Sequence, residues 1–282
     1  MLGGGGTQVV ALVAAYVIAA LATPAGVSGA VLLLPFQVSV LGTPSPAVTP
    51  TNLLYNVVAT PGGLYRYWQQ GHTGGGLASL LIIGTLPGVI AGAIIRIELL
   101  PGPVVFDLVA GSVLFPLGVW LALNRPAGPD WPATSTGTAD RNESARTDNP
   151  SPTVGIRSGS PLILLAAAVG CVGGIYGIGG GSILAPILIG SGRPPAEVAP
   201  AALASTFVTS VAGVVTFTIL SVHQHGTVAP DWPTGLALGV GGLAGAYTGA
   251  RIQSRLPDTL IRRLLGILVI GIAGRYLWSG AS

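Results

Sequence analysis

The chain is poor in charge. Only 7% of its 282 residues are Asp, Glu, Lys or Arg, and no lysine occurs, so all twelve basic residues are arginine. A soluble domain of this size carries about 25% charge. Too few polar groups remain to cover a water-facing surface, which excludes an ordinary soluble enzyme. The missing lysine excludes a P-loop, which needs G-K-[S/T]. A net charge of +3 does not supply the clustered basic face that nucleic acid requires, so no nucleic-acid partner is expected. The lone Cys171 can form neither an internal disulfide nor a thiolate metal cluster. His72, His223 and His225 fall in loops or at helix ends. Neither a metal nor a cofactor is expected.

What the chain has is apolar residues, 50% of the total, and 44 glycines, with a mean hydropathy of +0.73. It reads as an all-α polytopic membrane protein. A spanning helix needs about 20 apolar residues, and apolar stretches fall at 7–41, 47–68, 74–97, 102–124, 160–190, 196–222, 233–252 and 257–279. These eight segments form two groups of four. Residues 1–124 make a first membrane repeat and 160–282 a second. Residues 125–159 hold eight of the 21 charged residues among Pro, Ser and Thr, the composition of a flexible polar linker. The apolar N-terminus has no basic leader region and is followed by further apolar spans, so it is expected to be retained.

The two groups share punctuation as well as apolarity. Gly26, Gly29 and Pro35 align with Gly177, Gly180 and Pro186. After one gap, Pro44, Pro50, Leu53 and Gly63 align with Pro194, Pro200, Leu203 and Gly213. Farther on, Gly84, Gly88 and Gly92 align with Gly241, Gly245 and Gly249. The last set is a ladder of small residues, whose expected role is close helix packing.

The first segment of each group is broken by glycines. Residues 7–41 as one helix would be about 52 Å long at 1.5 Å per residue, against a hydrocarbon core of about 30 Å. Either the segment kinks and crosses, or it turns at the glycines and leaves by the side it entered. Arginine placement arbitrates, because basic residues favour cytoplasmic loops. If both segments cross, the twelve arginines split six to six. If both turn back, ten fall on one side and only Arg96 and Arg275 on the other. The bias favours re-entrant hairpins in inverted repeats, with a cytoplasmic central linker. The long first arms, about 15 residues, fit a non-crossing segment less well.

Unwound backbone in a bilayer is tolerated only where it is buried in protein or lines a polar cavity. Glycine suits such places, and a break creates a helix N-terminus whose first N–H groups lack partners. With the positive end of the helix dipole these form an anion site without charged side chains. In "GIGGGSIL" the site residues are Gly179, Gly180, Gly181 and Ser182, and in the first repeat Ser28, Gly29 and Ala30. Two such runs at matching places favour a site over tight packing alone. The next segments add neutral hydrogen-bonding groups: Thr49, Asn52 and Asn56 in one, Ser205, Thr206, Thr209 and Ser210 in the other. Ser and Thr in membrane helices often bond their own backbone. An amide is costly to bury unsatisfied, so Asn52 and Asn56 are the stronger candidates, with Ser205, Thr206 and Thr209 beside them.

"GGIYGIGGGSILAPILI" followed by "PAEVAPAALAST", with a weaker copy of both in the first repeat, resembles the TauE/SafE family of sulfite and organosulfonate exporters. The likeness covers nearly the whole chain outside the linker. It implies export of small sulfur-containing anions, with substrate contacts around the two breaks. The first copy departs from the pattern: Ser28 and Ala30 stand where the second has Gly179 and Gly181. The two half-sites are therefore expected to bind unequally.

Within the spans only Asp107 reads as a deep ionisable group, with an interfacial capping role the more economical assignment. A proton-coupled transporter usually carries a buried carboxylate or histidine, so potential-driven efflux by alternating access of the two repeats is the expected mechanism. The competing readings are a permease for another small ion or a carboxylate, and a non-transporting membrane scaffold. A dinucleotide-binding enzyme is excluded because the glycine run follows an apolar membrane stretch rather than a strand.

Overall fold

The computed structural model describes residues 4–25, 27–71, 75–99, 115, 119, 160–191, 193, 195–223, 228–252, 270, 271 and 274. The linker at 125–159, Asp107, His72, His225, and the segments at 102–124 and 257–279 apart from those single positions lie outside them. Among the described residues the chain is helical and contains no strand.

Helix α1 (Gly4–Ala22) runs into a short 3-10 turn (Thr23–Ala25), and α2 (Ala30–Phe36) continues as a π-helical turn (Gln37–Leu41). Helices α3 (Ser45–Gln69) and α4 (Gly75–Glu98) complete the first set. The second set is α5 (Ser160–Tyr176), α6 (Gly180–Gly190), α7 (Pro195–His223) and α8 (Trp232–Ile252). Both broken segments thus separate into two helical arms at the glycine-rich stretches. Among the described residues, Gly75–Glu98 and Glu197–Val222 are long and apolar enough to cross a membrane.

The helices are exchanged between the two sets. The ladder Gly84, Gly88 and Gly92 of α4 packs against α5, where a Cβ on Gly88 or Gly92 would overlap the carbonyl oxygens of Ala167 and Cys171. The aligned ladder on α8 packs against α1: a Cβ on Gly241 or Gly245 would overlap the carbonyls of Leu12 and Tyr16. Small residues allow both backbone approaches. One bundle therefore contains α1, α3 and α8, and the other α4, α5 and α7. Helices α3 and α7 meet along the seam, as where Leu53 lies against Gly213 and Leu203 against Gly63.

The outer faces are apolar. Val9, Val13, Val17 and Leu21 on α1, Ile83, Ile90 and Ile94 on α4, and Val211, Val215, Ile219 and Val222 on α7 are all exposed. Contiguous apolar surface of this extent is unfavourable in water and is what a lipid-facing helix presents. The polar side chains go inward: Ser28, Asn52, Asn56, Thr85, Ser182, Ser205 and Thr206 are all buried.

Candidate functional site

The second break is built by glycine geometry. Gly177 takes φ 69°, and the Ile178 N–H donates to the Gly173 carbonyl at 3.0 Å. This is the six-residue closure that ends a helix in a left-handed residue. Gly179 follows at φ 75°, ψ 138° and is the N-cap of α6, in a region that side-chain-bearing residues enter only with strain. The chain doubles back here, since a Cβ on Gly180 would lie 3.2 Å from Gly170 Cα, and one on Gly173 would lie 2.9 Å from the Gly180 nitrogen. Gly181 lies flat on α7, where a Cβ would overlap the Ala202 carbonyl oxygen. Within α6 the first N–H groups have no partner one turn back, and no side chain caps them.

Asn56 decides which way the break faces. Its Nδ2 donates to the carbonyls of Gly177 at 3.3 Å and Ile178 at 3.2 Å, while the Thr49 hydroxyl donates to the Ile175 carbonyl at 3.0 Å. The carbonyl oxygens of the break are thus drawn toward α3 and satisfied there. The amide N–H groups of Gly180, Gly181 and Ser182 remain at the positive end of the helix dipole.

The first break is closed by the protein itself. Ser28 donates its hydroxyl to Asn56 Oδ1 and accepts from the Ala30 N–H at 3.2 Å. Asn52 donates to the Ala30 carbonyl at 2.9 Å and accepts from Gln37 Nε2 at 3.0 Å. Gly29 is packed against α1, 3.4 Å from Ala19 Cα as measured from a Cβ placed there. The two breaks meet where the Ser28 N–H donates to Ser182 Oγ at 3.4 Å. Ser182 in turn shares a hydrogen bond with Thr206 at 3.3 Å. Ser205 is bonded to Thr85 at 2.9 Å. Thr209 donates to the carbonyls of Ser205 and Thr206 in its own helix. It alone of the candidate side chains has no bond to another element.

The repeat register exposes a volume exchange. Counting from the aligned positions, Tyr55 corresponds to Ser205 and Gly242 to Thr85. The Tyr55 ring lies against Gly242, where a Cβ would overlap it, and its hydroxyl fills the space beside Gly29. At the other break the Ser205–Thr85 pair replaces the phenol, with Thr85 filling the space beside Gly180. One large and one absent side chain are matched by two small polar ones.

Four residues at or near this region were not in the sequence-derived site. Thr85 follows a glycine of the packing ladder and carries no motif signal of its own. Gln37 is fully buried in the π-helical turn with its Oε1 unpartnered; an amide inside "LLLPFQVSV" was the available signal. Ser210, on the same helix as Ser205, Thr206 and Thr209, is fully buried. Arg96, in the last turn of α4, is 1% exposed, a charged side chain covered by neighbouring helices that the sequence reading did not mark as buried.

A family model described as "Sulfite exporter TauE/SafE" matches residues 10–276. The chain belongs to this family. A "Probable membrane transporter protein" of Xylella fastidiosa (strain 9a5c) is 30% identical over 119 residues, covering 40% of this chain and 42% of the relative. A "Probable membrane transporter protein YunE" of Bacillus subtilis (strain 168) is 31% identical over 119 residues, covering 42% of this chain and 41% of the relative. The match therefore spans about two fifths of these relatives' length. No solved structure matches this TauE/SafE chain. Family and relatives together support a membrane transporter, in agreement with the lipid-facing helices.

Proposed function

We propose that this TauE/SafE protein exports small sulfur-containing anions such as sulfite or an organosulfonate across the cell membrane. The anion is held at the N-terminus of α6 by the N–H groups of Gly180, Gly181 and Ser182, beside the Gly179 cap. Asn56 is the observation that carries this reading. By binding the Gly177 and Ile178 carbonyls it removes the negative side of the unwound backbone and leaves the positive side. Ser205 and Thr206 wall the site from α7. Ser28, Gly29, Ala30 and Asn52 form the opposite wall, where the Ser28 and Asn52 side chains are already bonded within the protein, so the two breaks serve unequally.

The mechanism follows from burial. Ser28, Asn52, Asn56, Ser182, Ser205, Thr206 and Thr209 are at most 4% exposed, so the conformation described is closed around the breaks. Release needs a seam to open, and the seam between the α1–α3–α8 and α4–α5–α7 bundles passes beside both breaks. Rocking of these exchanged bundles replaces a motion of one repeat against the other. Both broken segments act as re-entrant hairpins of inverted repeats, with linker 125–159 cytoplasmic. An inside-negative potential favours anion exit by about 2.3 kcal/mol per charge per 100 mV.

Efflux of sulfite and sulfoacetate from proteoliposomes with an imposed potential tests the proposal, with acetate as the carboxylate alternative. Potential-dependent efflux of the sulfur anions supports it. Efflux that ignores voltage and follows a pH gradient contradicts it, and preference for acetate reassigns the substrate.

A further inference from the structure

Hydroxyls in the long helices mostly donate to the carbonyl one turn back: Thr85 to Leu81 at 2.7 Å, Thr209 to Ser205 at 2.7 Å, Thr216 to Ala212 at 2.8 Å and Thr218 to Val214 at 2.8 Å. Ser210 does not. It is fully buried on α7, and its Oγ has no hydrogen-bond partner. The carbonyl it would use, that of Thr206, already accepts from Thr209 at 3.3 Å. A buried hydroxyl without a partner is a net cost to the fold, and such an exception calls for a ligand or another role. The direction of Ser210 supplies one. Its Oγ lies 3.3 Å from where a Cβ on Gly179 would sit, so it faces the N-cap of α6, the eleven-residue helix whose start no side chain caps.

We propose that Ser210 is a ligand of the transported anion, donating its hydroxyl to one oxygen while the α6 N–H groups bind another. This rests on the reading of the α6 N-terminus as the anion site and extends it to a specific chemistry. A hydroxyl and a set of amides on two helices fit an oxyanion with two or more oxygens better than a halide. In the repeat register the position aligned with Ser210 is Thr60, which donates to the Asn56 carbonyl at 2.6 Å. That hydroxyl is committed to its own helix, whereas the one on Ser210 is not.

Purified full-length protein is assayed by calorimetry and thermal unfolding with sulfite, sulfoacetate and acetate, beside Ser210→Ala, Ser210→Cys and the control Thr216→Ala. Wild type and the control are expected to bind a sulfur anion and to unfold at higher temperature with it. Ser210→Ala is expected to bind about tenfold more weakly, in line with a lost hydrogen bond to a charged group. It should unfold at the same or a higher temperature without ligand, because an unsatisfied hydroxyl has gone. Ser210→Cys, close in size but a weak donor, should fall between. Wild-type affinity in Ser210→Ala, or a lower ligand-free unfolding temperature, overturns the assignment of Ser210 and leaves the site reading intact. No binding of any of the three anions by wild type overturns the site reading, and Ser210 with it.

Discussion

Ser28 and Ser182 lie 154 positions apart in sequence, yet the N–H of the first donates to the hydroxyl of the second at 3.4 Å. The two glycine-rich breaks are therefore in contact, and Asn56 bonds to both. Neutral groups alone build this meeting point.

Replacing Asn56 by Asp keeps its shape and removes the donor. The Gly177 and Ile178 carbonyls would lose their partner and face a carboxylate instead. A loss of about 2–6 kcal/mol is expected, from two stranded buried acceptors at about 1–3 kcal/mol each. Thermal unfolding of Asn56→Asp should show a marked drop together with abolished transport; an unchanged unfolding temperature would mean the break does not depend on this amide.

Glycines with positive φ should divide into two groups. Gly179→Ala adds a Cβ 2.8 Å from the Thr206 Cγ2 methyl at φ 75°, ψ 138°, combining backbone strain of about 1–3 kcal/mol with a side-chain clash at the site. Gly42→Ala, at φ 68° with nothing within 4 Å, meets only the strain. Activity should vanish in the first and persist in the second. Equal transport in both would remove the special status of Gly179.

The repeated punctuation, the breaks and the close-packed ladders could be read from sequence because glycine and proline spacing is local information. The start of α6 at Gly180 was legible for the same reason. Where the ladders dock was not legible: nothing local says that α4 packs on α5 and α8 on α1. The roles of Asn52 and Asn56 were only half legible. Their burial was expected from the cost of an amide in lipid, but their partners, Ala30, Gln37, Gly177 and Ile178, depend on tertiary placement. Arg96 escaped because its place at a helix end reads as interfacial until neighbouring helices cover it.

The exchanged bundles predict which cross-links stop transport. In a Cys171→Ala background, a disulfide joining Leu54→Cys to Gly235→Cys lies inside one bundle, where a Cβ on Gly235 is 3.3 Å from Leu54 Cβ. A disulfide joining Leu53→Cys to Gly213→Cys spans the α3–α7 seam. Oxidation should leave transport in the first pair and arrest it in the second, with recovery on reduction. Arrest by both would point to a rigid α3–α8 unit being unable to work when locked, contrary to rocking between bundles.

The site groups are backbone amides, hydroxyls and carboxamides, which do not titrate between pH 5 and 9. Binding of an anion whose own charge is constant over that range, such as a sulfonate, should therefore change less than twofold from pH 5.5 to 8.5, read by calorimetry. A steep dependence would bring a titrating residue outside this set into the site.

The most direct measurement places the anion itself. Selenite has the shape and charge pattern of sulfite and scatters anomalously, so crystals of the full-length protein soaked in selenite locate it without reference to activity. An anomalous peak is expected next to Ser210, with oxygens at about 2.7–3.2 Å from the nitrogens of Gly180–Ser182. A peak elsewhere in the bundle, with the α6 N-terminus empty at saturating selenite, would contradict that placement.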